Sequence, residues 1–399
     1  VDIKNIKSSF PIYKNNPDLV YLDSGATALK PQVVLDKMME YYTEYSANIH
    51  RGNYGLSIRA TEEYELARKK VADFLKASDI REISFCKNAT EGFNMVAGIW
   101  ENLLHEGDII VTTVLEHHSN FVPWQRLASH KKMKFEILKF KEDESLDMDN
   151  VDWGRVKILA LTQVSNVTGQ VLDVQEIIKI AKNKNPNLIV VVDGCQAVAH
   201  MMVDVVKMDC DYYIFSGHKL YGPTGVGVVW SRLEHTMVMD PFLVGGGMIG
   251  KVGDTETTWA EPPEKYEAGT PPIAEVIGLG SAIDFVSGFD WQEVESYEKY
   301  LMEYTKLKLG ENPKVKVFCG KNSRSVISFV VEGVHAHDVG EILNRYGVCV
   351  RTGHHCTQPL HRALGVAATT RVSFGIYNTK EDVDKLTQGL LEVIKIFNL

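Results

Sequence analysis

The run Tyr212-Tyr213-Ile214-Phe215, followed by Ser216-Gly217-His218-Lys219, decides how the chain is read. Aromatic and β-branched residues in an unbroken apolar run read as a buried strand. That strand delivers a lysine into a short polar turn, and a Gly-Pro-Thr-Gly loop from Gly222 to Gly225 follows at once. An isolated lysine in such a turn is ordinarily a surface residue. What changes the reading is Asp193, at the end of an earlier apolar run.

Working outward, short apolar runs alternate with amphipathic segments from Ile83 onward. Strands are expected at Ile83–Cys86, Ile109–Thr113, Phe135–Leu138, Ile158–Thr162, Leu188–Val192, Tyr212–Phe215 and Val226–Trp230. An intervening helix is clear at Val174, Ile177, Ile178 and Ala181, and another is expected from Thr61, with Tyr64, Ala67, Val71, Phe74 and Leu75 on one face. Such alternation predicts an α/β fold with a mostly parallel seven-stranded sheet flanked by helices. Ligands then bind beyond the carboxyl ends of the strands. Those ends carry Asn88-Ala89-Thr90-Glu91-Gly92, Glu116-His117-His118-Ser119-Asn120, Ser165-Asn166, Asp193-Gly194-Cys195-Gln196 and the lysine turn. Thr90 can cap a helix or help hold a phosphate. Of the adjacent His117 and His118, at most one is expected to face a ligand.

Asp193 on a buried strand needs a cationic partner or strong donors. A protonated pyridine ring supplies that charge, and an aspartate beside a Schiff-base lysine is the recurrent pyridoxal phosphate arrangement.

Bulk properties exclude other classes. The 399 residues are 45% hydrophobic and 24% charged with net charge -9, which argues against nucleic-acid binding. No run of eighteen apolar residues appears, so no membrane span is expected. The opening Val1-Asp2-Ile3-Lys4-Asn5 has no signal-peptide layout, and a cytoplasmic protein is expected. The six cysteines form no C-x-x-C pair, so neither a disulfide framework nor a metal site is expected. Cys86, Cys195, Cys210 and Cys349, in or beside strand-like runs, and Cys319 read as structural.

Near residue 266 the character changes. Glu267-Ala268-Gly269-Thr270-Pro271-Pro272 breaks the chain before a helical segment from Ala274 to Val286. Strands near Val326–Val331, Val348–Val350 and Val372–Ile376 follow. A terminal helix opening at Thr379-Lys380-Glu381-Asp382 is expected to bury Val383, Leu386, Leu390, Val393 and Phe397. The expected division is a large cofactor-binding domain over 14–265, with 1–13 and 266–399 forming a smaller α+β domain.

The segments NIHRGNYGLS (from Asn48), EHHSNFVPWQ (from Glu116), VSNVTGQ (from Val164), VDGCQAVAH (from Val192), SGHKLYGPTG (from Ser216), EAGTPP (from Glu267) and RTGHHCTQP (from Arg351) run in order over nearly the whole chain. Together they resemble the type II cysteine desulfurases, fold type I pyridoxal-phosphate enzymes of the class V aminotransferase family. RTGHHC is similar to the SufS group, which supplies sulfur for iron–sulfur cluster assembly. The resemblance implies that Lys219 is the Schiff-base lysine and general base, and that Asp193 partners the pyridine nitrogen. It implies Gln196 at the phenolic oxygen, His117 over the ring, and Thr90, Ser216 and His218 on the phosphate, with Thr270 reaching it from the other subunit of a homodimer. Asn166, Arg371, Arg351 and His50 are the implied substrate-binding residues, Arg371 pairing the carboxylate, and Cys356 the implied nucleophile. Arg351, His354 and His355 are candidates for favouring its thiolate.

The implied reaction converts L-cysteine to L-alanine, leaving a persulfide on Cys356 for a SufE-type or SufU-type acceptor protein, with L-selenocysteine as a side substrate. Three positions depart from the family's usual residues: Gly247 stands where Glu is frequent, Thr357 where Ala is common, and Gly25 where Ala is usual. A dedicated selenocysteine lyase or a kynureninase-like hydrolase would not need a thiol within RTGHHC. A non-catalytic scaffold would not need Lys219, Asp193, His117, Arg371 and Cys356 together.

Overall fold

A computed structural model describes residues 3–399; Val1 and Asp2, from the opening stretch read for targeting, lie outside the described residues. The central sheet has seven strands in the order Ile83–Cys86, Gly227–Ser231, Tyr212–Ser216, Ile189–Asp193, Val156–Thr162, Ile109–Thr113, Lys134–Leu138. Gly227–Ser231 is antiparallel to both neighbours, and the remaining pairs are parallel. Nearly every residue of the inner strands is buried, as a sheet covered on both faces requires. Strand bounds differ from expectation by one or two residues, and Asp193 proves to be the last residue of its strand rather than the first of a loop.

The helix expected from Thr61 begins earlier, spanning Gly55–Leu75. Its first turn exposes Leu56 and Ile58, so the apolar periodicity registers only further along. The helix Val174–Lys184 is as expected, with Asp173 accepting the Glu176 N–H at its start. The terminal helix Lys380–Ile396 opens with a full capping box from Thr379 and Asp382. It buries Val383, Leu386, Leu390 and Val393, but Phe397 falls beyond its end and is exposed.

A second, four-stranded antiparallel sheet runs Val315–Phe318, Val326–Val331, Thr369–Ser373, Arg351–Gly353. The strand expected at Val372–Ile376 is thus Thr369–Ser373, which places Arg371 at its centre. Val348–Cys349 pairs instead with Val20–Tyr21, and an isolated bridge joins Asp23 to Ser373. Among the described residues, the buried apolar side chains form two clusters. The larger core takes in Ile6, Phe10 and Tyr13 together with the helix Ile273–Ser287, which packs on Gln32–Glu44 and Gly55–Leu75. The smaller core combines Val20 and Leu22 with residues from Leu301 to Val393. Ile273–Ser287 is apolar nearly all round and so needs cover from its neighbours. Among the described residues no helix is long and apolar enough to cross a membrane.

Candidate active site

The carboxyl ends of the parallel strands and one edge of the smaller sheet enclose a cavity of about 260 Å³. Thr90, His117, Asn166, Asp193, Ser216, His218, Lys219, Arg351, Cys356 and Arg371 all line it. Local sequence explains how they arrive. Asp193 ends its strand, and Gly194 follows because a Cβ there would lie 2.2 Å from the Tyr213 ring. Only glycine leaves room there for the Tyr213 ring. Lys219 is delivered by the tight turn Gly217–Lys219 after Tyr212–Ser216.

Asp193 is buried, and one of its oxygens accepts the Cys195 N–H at 2.9 Å. Burial raises its pKa, and the charge of Lys219 opposes that rise. Among the described residues no salt bridge neutralises it, so the cavity holds a desolvated carboxyl group suited to a cationic ring atom. At the cavity's other end the helix Ala89–Glu101 presents its amino terminus: Asn88 caps it by accepting the Glu91 N–H, Ser216 Oγ accepts the Ala89 N–H at 2.9 Å, and Thr90 lies in the first turn. Hydroxyls at a helix amino terminus suit an anion such as a phosphate. His117 is pushed down to about 3 by burial and by Lys219, and His218 to about 4 by burial, Lys219 and Lys30. Both rings are neutral near pH 7. His117 Nδ1 accepts the Ser119 N–H at 3.1 Å, which leaves the proton on Nε2.

Arg371 and Arg351 face each other across neighbouring strands. Like charges so placed repel, and Asp23 compensates: it accepts from Arg371 Nη2 at 3.0 Å and from Arg351 Nε at 3.2 Å. Arg371 Nη1 donates to the Asn166 carbonyl at 3.1 Å, while its buried Nε has no partner among the described residues. Burial lowers its pKa, with Asp23 opposing. Asp23 is the residue that sequence reasoning missed; its signal was the strand-like run Leu19–Asp23 ending in a lone carboxylate.

Cys356 is exposed at the cavity mouth. His355 and Cys356 both adopt left-handed backbone, φ 49° and 55°, a conformation that costs energy for residues other than glycine. Asn166 Nδ2 donates to the His355 carbonyl at 2.8 Å, and Thr357 Oγ1 donates to Asn166 Oδ1 at 3.0 Å. Thr357 therefore has a task that alanine cannot perform. His355 does not supply positive charge to the thiol: it is buried, bonded through Nε2 to Thr369, and pushed down to about 2 by burial and Arg371.

Three expected residues lie off the cavity. Gln196 donates to the Gly25 carbonyl at 2.8 Å, with Gly25 itself in the wall. His50 is on an exposed loop 4.0 Å from Glu65. Thr270 is exposed on a loop whose Gly269 N–H bonds the Gly246 carbonyl. Gly247 beside it has φ 88°, so a glutamate there would be strained. A larger cleft of about 930 Å³ elsewhere holds none of the candidate catalytic residues.

The chain is similar to known proteins over nearly its whole length. The chain matches the family described as aminotransferase class-V over residues 20–386. It is 43% identical to a cysteine desulfurase of Serratia proteamaculans, covering 99% of this chain and 98% of that protein. It is 42% identical to a probable cysteine desulfurase of Halalkalibacterium halodurans, covering 98% of each. Among solved structures, the cysteine desulfurase CsdA of Escherichia coli superposes with TM-score 0.92 at 38% identity over 99% of both chains. An apo cysteine desulfurase of Thermococcus onnurineus does so with TM-score 0.93 at 39% identity over 98% of both. The chain belongs to the class V aminotransferase family, with the fold type I architecture. Within that family it is a pyridoxal-phosphate-dependent cysteine desulfurase.

Proposed function

We propose that the protein desulfurates L-cysteine through Cys356, as a member of the SufS group that supplies sulfur for iron–sulfur cluster assembly. The observation that carries this reading is the placement of Lys219, Asp193, Arg371 and Cys356 around one cavity. Pyridoxal phosphate, when bound, supplies an electrophilic aldehyde carbon and an electron sink. Asp193 would hold the ring nitrogen's proton, Gln196 would donate to the phenolic oxygen, and His117 would lie over the ring. Thr90, Ser216 and His218 would hold the phosphate. Arg371 binds the substrate carboxylate, with Arg351 and Asn166 beside it. Lys219 Nζ takes the proton from the substrate's α-carbon. Cys356 Sγ attacks the substrate sulfur, the substrate's carbon–sulfur bond breaks, and protonation of the remaining carbon skeleton gives L-alanine while the persulfide stays on Cys356. L-Selenocysteine reacts in the same site as a side substrate.

The working form is a homodimer. Val238, Phe242, Leu243 and Val244 are exposed beside the loop carrying Thr270. An apolar rim of this kind suits a protein interface, and covering it with a second copy would take Thr270, and His50 with it, to the neighbouring cavity. The persulfide passes to a SufE-type or SufU-type acceptor in the cytoplasm. Incubation with L-cysteine, followed by peptide mass spectrometry, should find one extra sulfur on Cys356 that leaves on adding such an acceptor. Extra sulfur only on other cysteines would refute the assignment.

A further inference from the structure

His118 does not line the cavity, yet it touches the Cys356 loop twice. Its main-chain N–H donates to the Cys356 carbonyl at 2.7 Å, and its ring Nε2 accepts the Gln358 N–H at 3.2 Å. Both bonds fall just C-terminal to the two residues in left-handed backbone, one on each side of Thr357. The helix Gln358–Leu364 starts here, and Thr357, its N-cap residue, makes no side-chain capping bond. The Thr357 hydroxyl is turned instead to Asn166 and the His355 carbonyl. Pro359 has no N–H. Gln358 therefore presents an opening N–H that its own N-cap leaves unsatisfied, and His118 accepts it in place of a cap.

We propose that His118 is a positioning residue for Cys356, pinning the loop at the cysteine's own carbonyl and at the Gln358 N–H so that the cysteine's sulfur is held at the cavity mouth. The role rests on the reading of Cys356 as sulfur acceptor. Nε2 can accept only when the imidazole is neutral with its proton on Nδ1. The titratable and charged groups around the ring are His117 on its own segment, His354 on the cysteine loop and Arg362 on the following helix. All are basic, so none favours the imidazolium. On acidification the protonated ring would oppose one donor with another, and the grip on Gln358 would open.

The test compares His118→Gln, which keeps an acceptor near the Nε2 position, with His118→Leu, which has none. Amide hydrogen exchange at Gln358 is followed by fragment-resolved mass spectrometry, alongside kcat and KM for L-cysteine. In His118→Leu, exchange at Gln358 should quicken about tenfold, the value of one lost hydrogen bond, and kcat should fall with KM unchanged. His118→Gln should restore both. In the wild type, lowering the pH should speed Gln358 exchange relative to the same amide in His118→Gln. Wild-type exchange in the Leu variant, equally fast exchange in both variants, or quickened exchange with unaltered kcat would each overturn the proposal. Absence of persulfide on Cys356 in the wild type would instead strike the acceptor reading, and the exchange arms would still decide the grip.

Discussion

Replacing Arg371 by leucine should separate its binding role from its structural one. The guanidinium is 2% exposed and gives one N–H to Asp23 and one to Asn166. Removing it does not orphan Asp23, because Arg351 bonds both of that carboxylate's oxygens. The stability cost is therefore smaller than the roughly 3–5 kcal/mol of an abandoned buried charge, and about 1–2 kcal/mol is expected for two lost hydrogen bonds partly offset by apolar fill. The substrate carboxylate loses charge-assisted hydrogen bonds worth about 1.5–3 kcal/mol. That converts to a KM for L-cysteine about 10- to 150-fold higher. If ground and transition states share the contact, kcat stays near wild type. Arg371→Lys keeps the charge without the planar fork and should fall between. Initial rates of alanine formation across a cysteine series measure the effect, with urea midpoints as the control for folding. A folded Arg371→Leu protein with KM within twofold of wild type would refute carboxylate binding by Arg371.

Other outcomes follow from the same geometry. Gly194→Ala should destabilise by about 1–3 kcal/mol, since its Cβ would overlap Tyr213; chemical denaturation measures this. Arg68→Met should cost about 3–5 kcal/mol by taking from the Glu267 carboxylate its charged partner, leaving the Tyr64 hydroxyl and the Phe85 N–H bonded to it; a midpoint shift below about 1 kcal/mol would contradict it. Thr357→Ala should lower kcat by a few-fold by freeing the Asn166 amide, and an unchanged kcat would show the hydroxyl to be idle. His117, His218 and His355 are lowered in the folded protein to about 3, 4 and 2 from 6.5. The unfolded chain therefore binds more protons below pH 6.5. The cofactor-free protein should be most stable above that pH and lose stability steadily as pH falls toward those values. A denaturation midpoint unchanged between pH 7 and 5 would contradict the lowered values.

Much of the large unit was legible because its physics is local. Buried parallel strands such as Tyr212–Ser216 are continuous apolar runs, and the strand-end rule then points to Asp193, Asn166 and Lys219. Helices with polar residues on their buried face were not legible. Trp291–Gly310 buries Glu298 and Thr305, where Glu298 bonds His200 and Ser325, so no clean apolar stripe marks it. Which elements cover Ile273–Ser287 was not legible either, because that is a long-range packing choice that no local pattern encodes. The position of Arg371 was equally invisible in spacing, since it depends on a pairing with Asp23, 348 positions earlier in the chain. It was the order of whole motifs, not any single residue, that made Cys356 more than a surface thiol.

The most direct measurement is alanine formation from L-cysteine, with and without a thiol reductant, by wild type and Cys356→Ala. Desulfuration through Cys356 predicts reductant-stimulated alanine from the wild type and none from the variant, with pyridoxal phosphate bound to both. Equal alanine from the two proteins would contradict Cys356 as the sulfur acceptor.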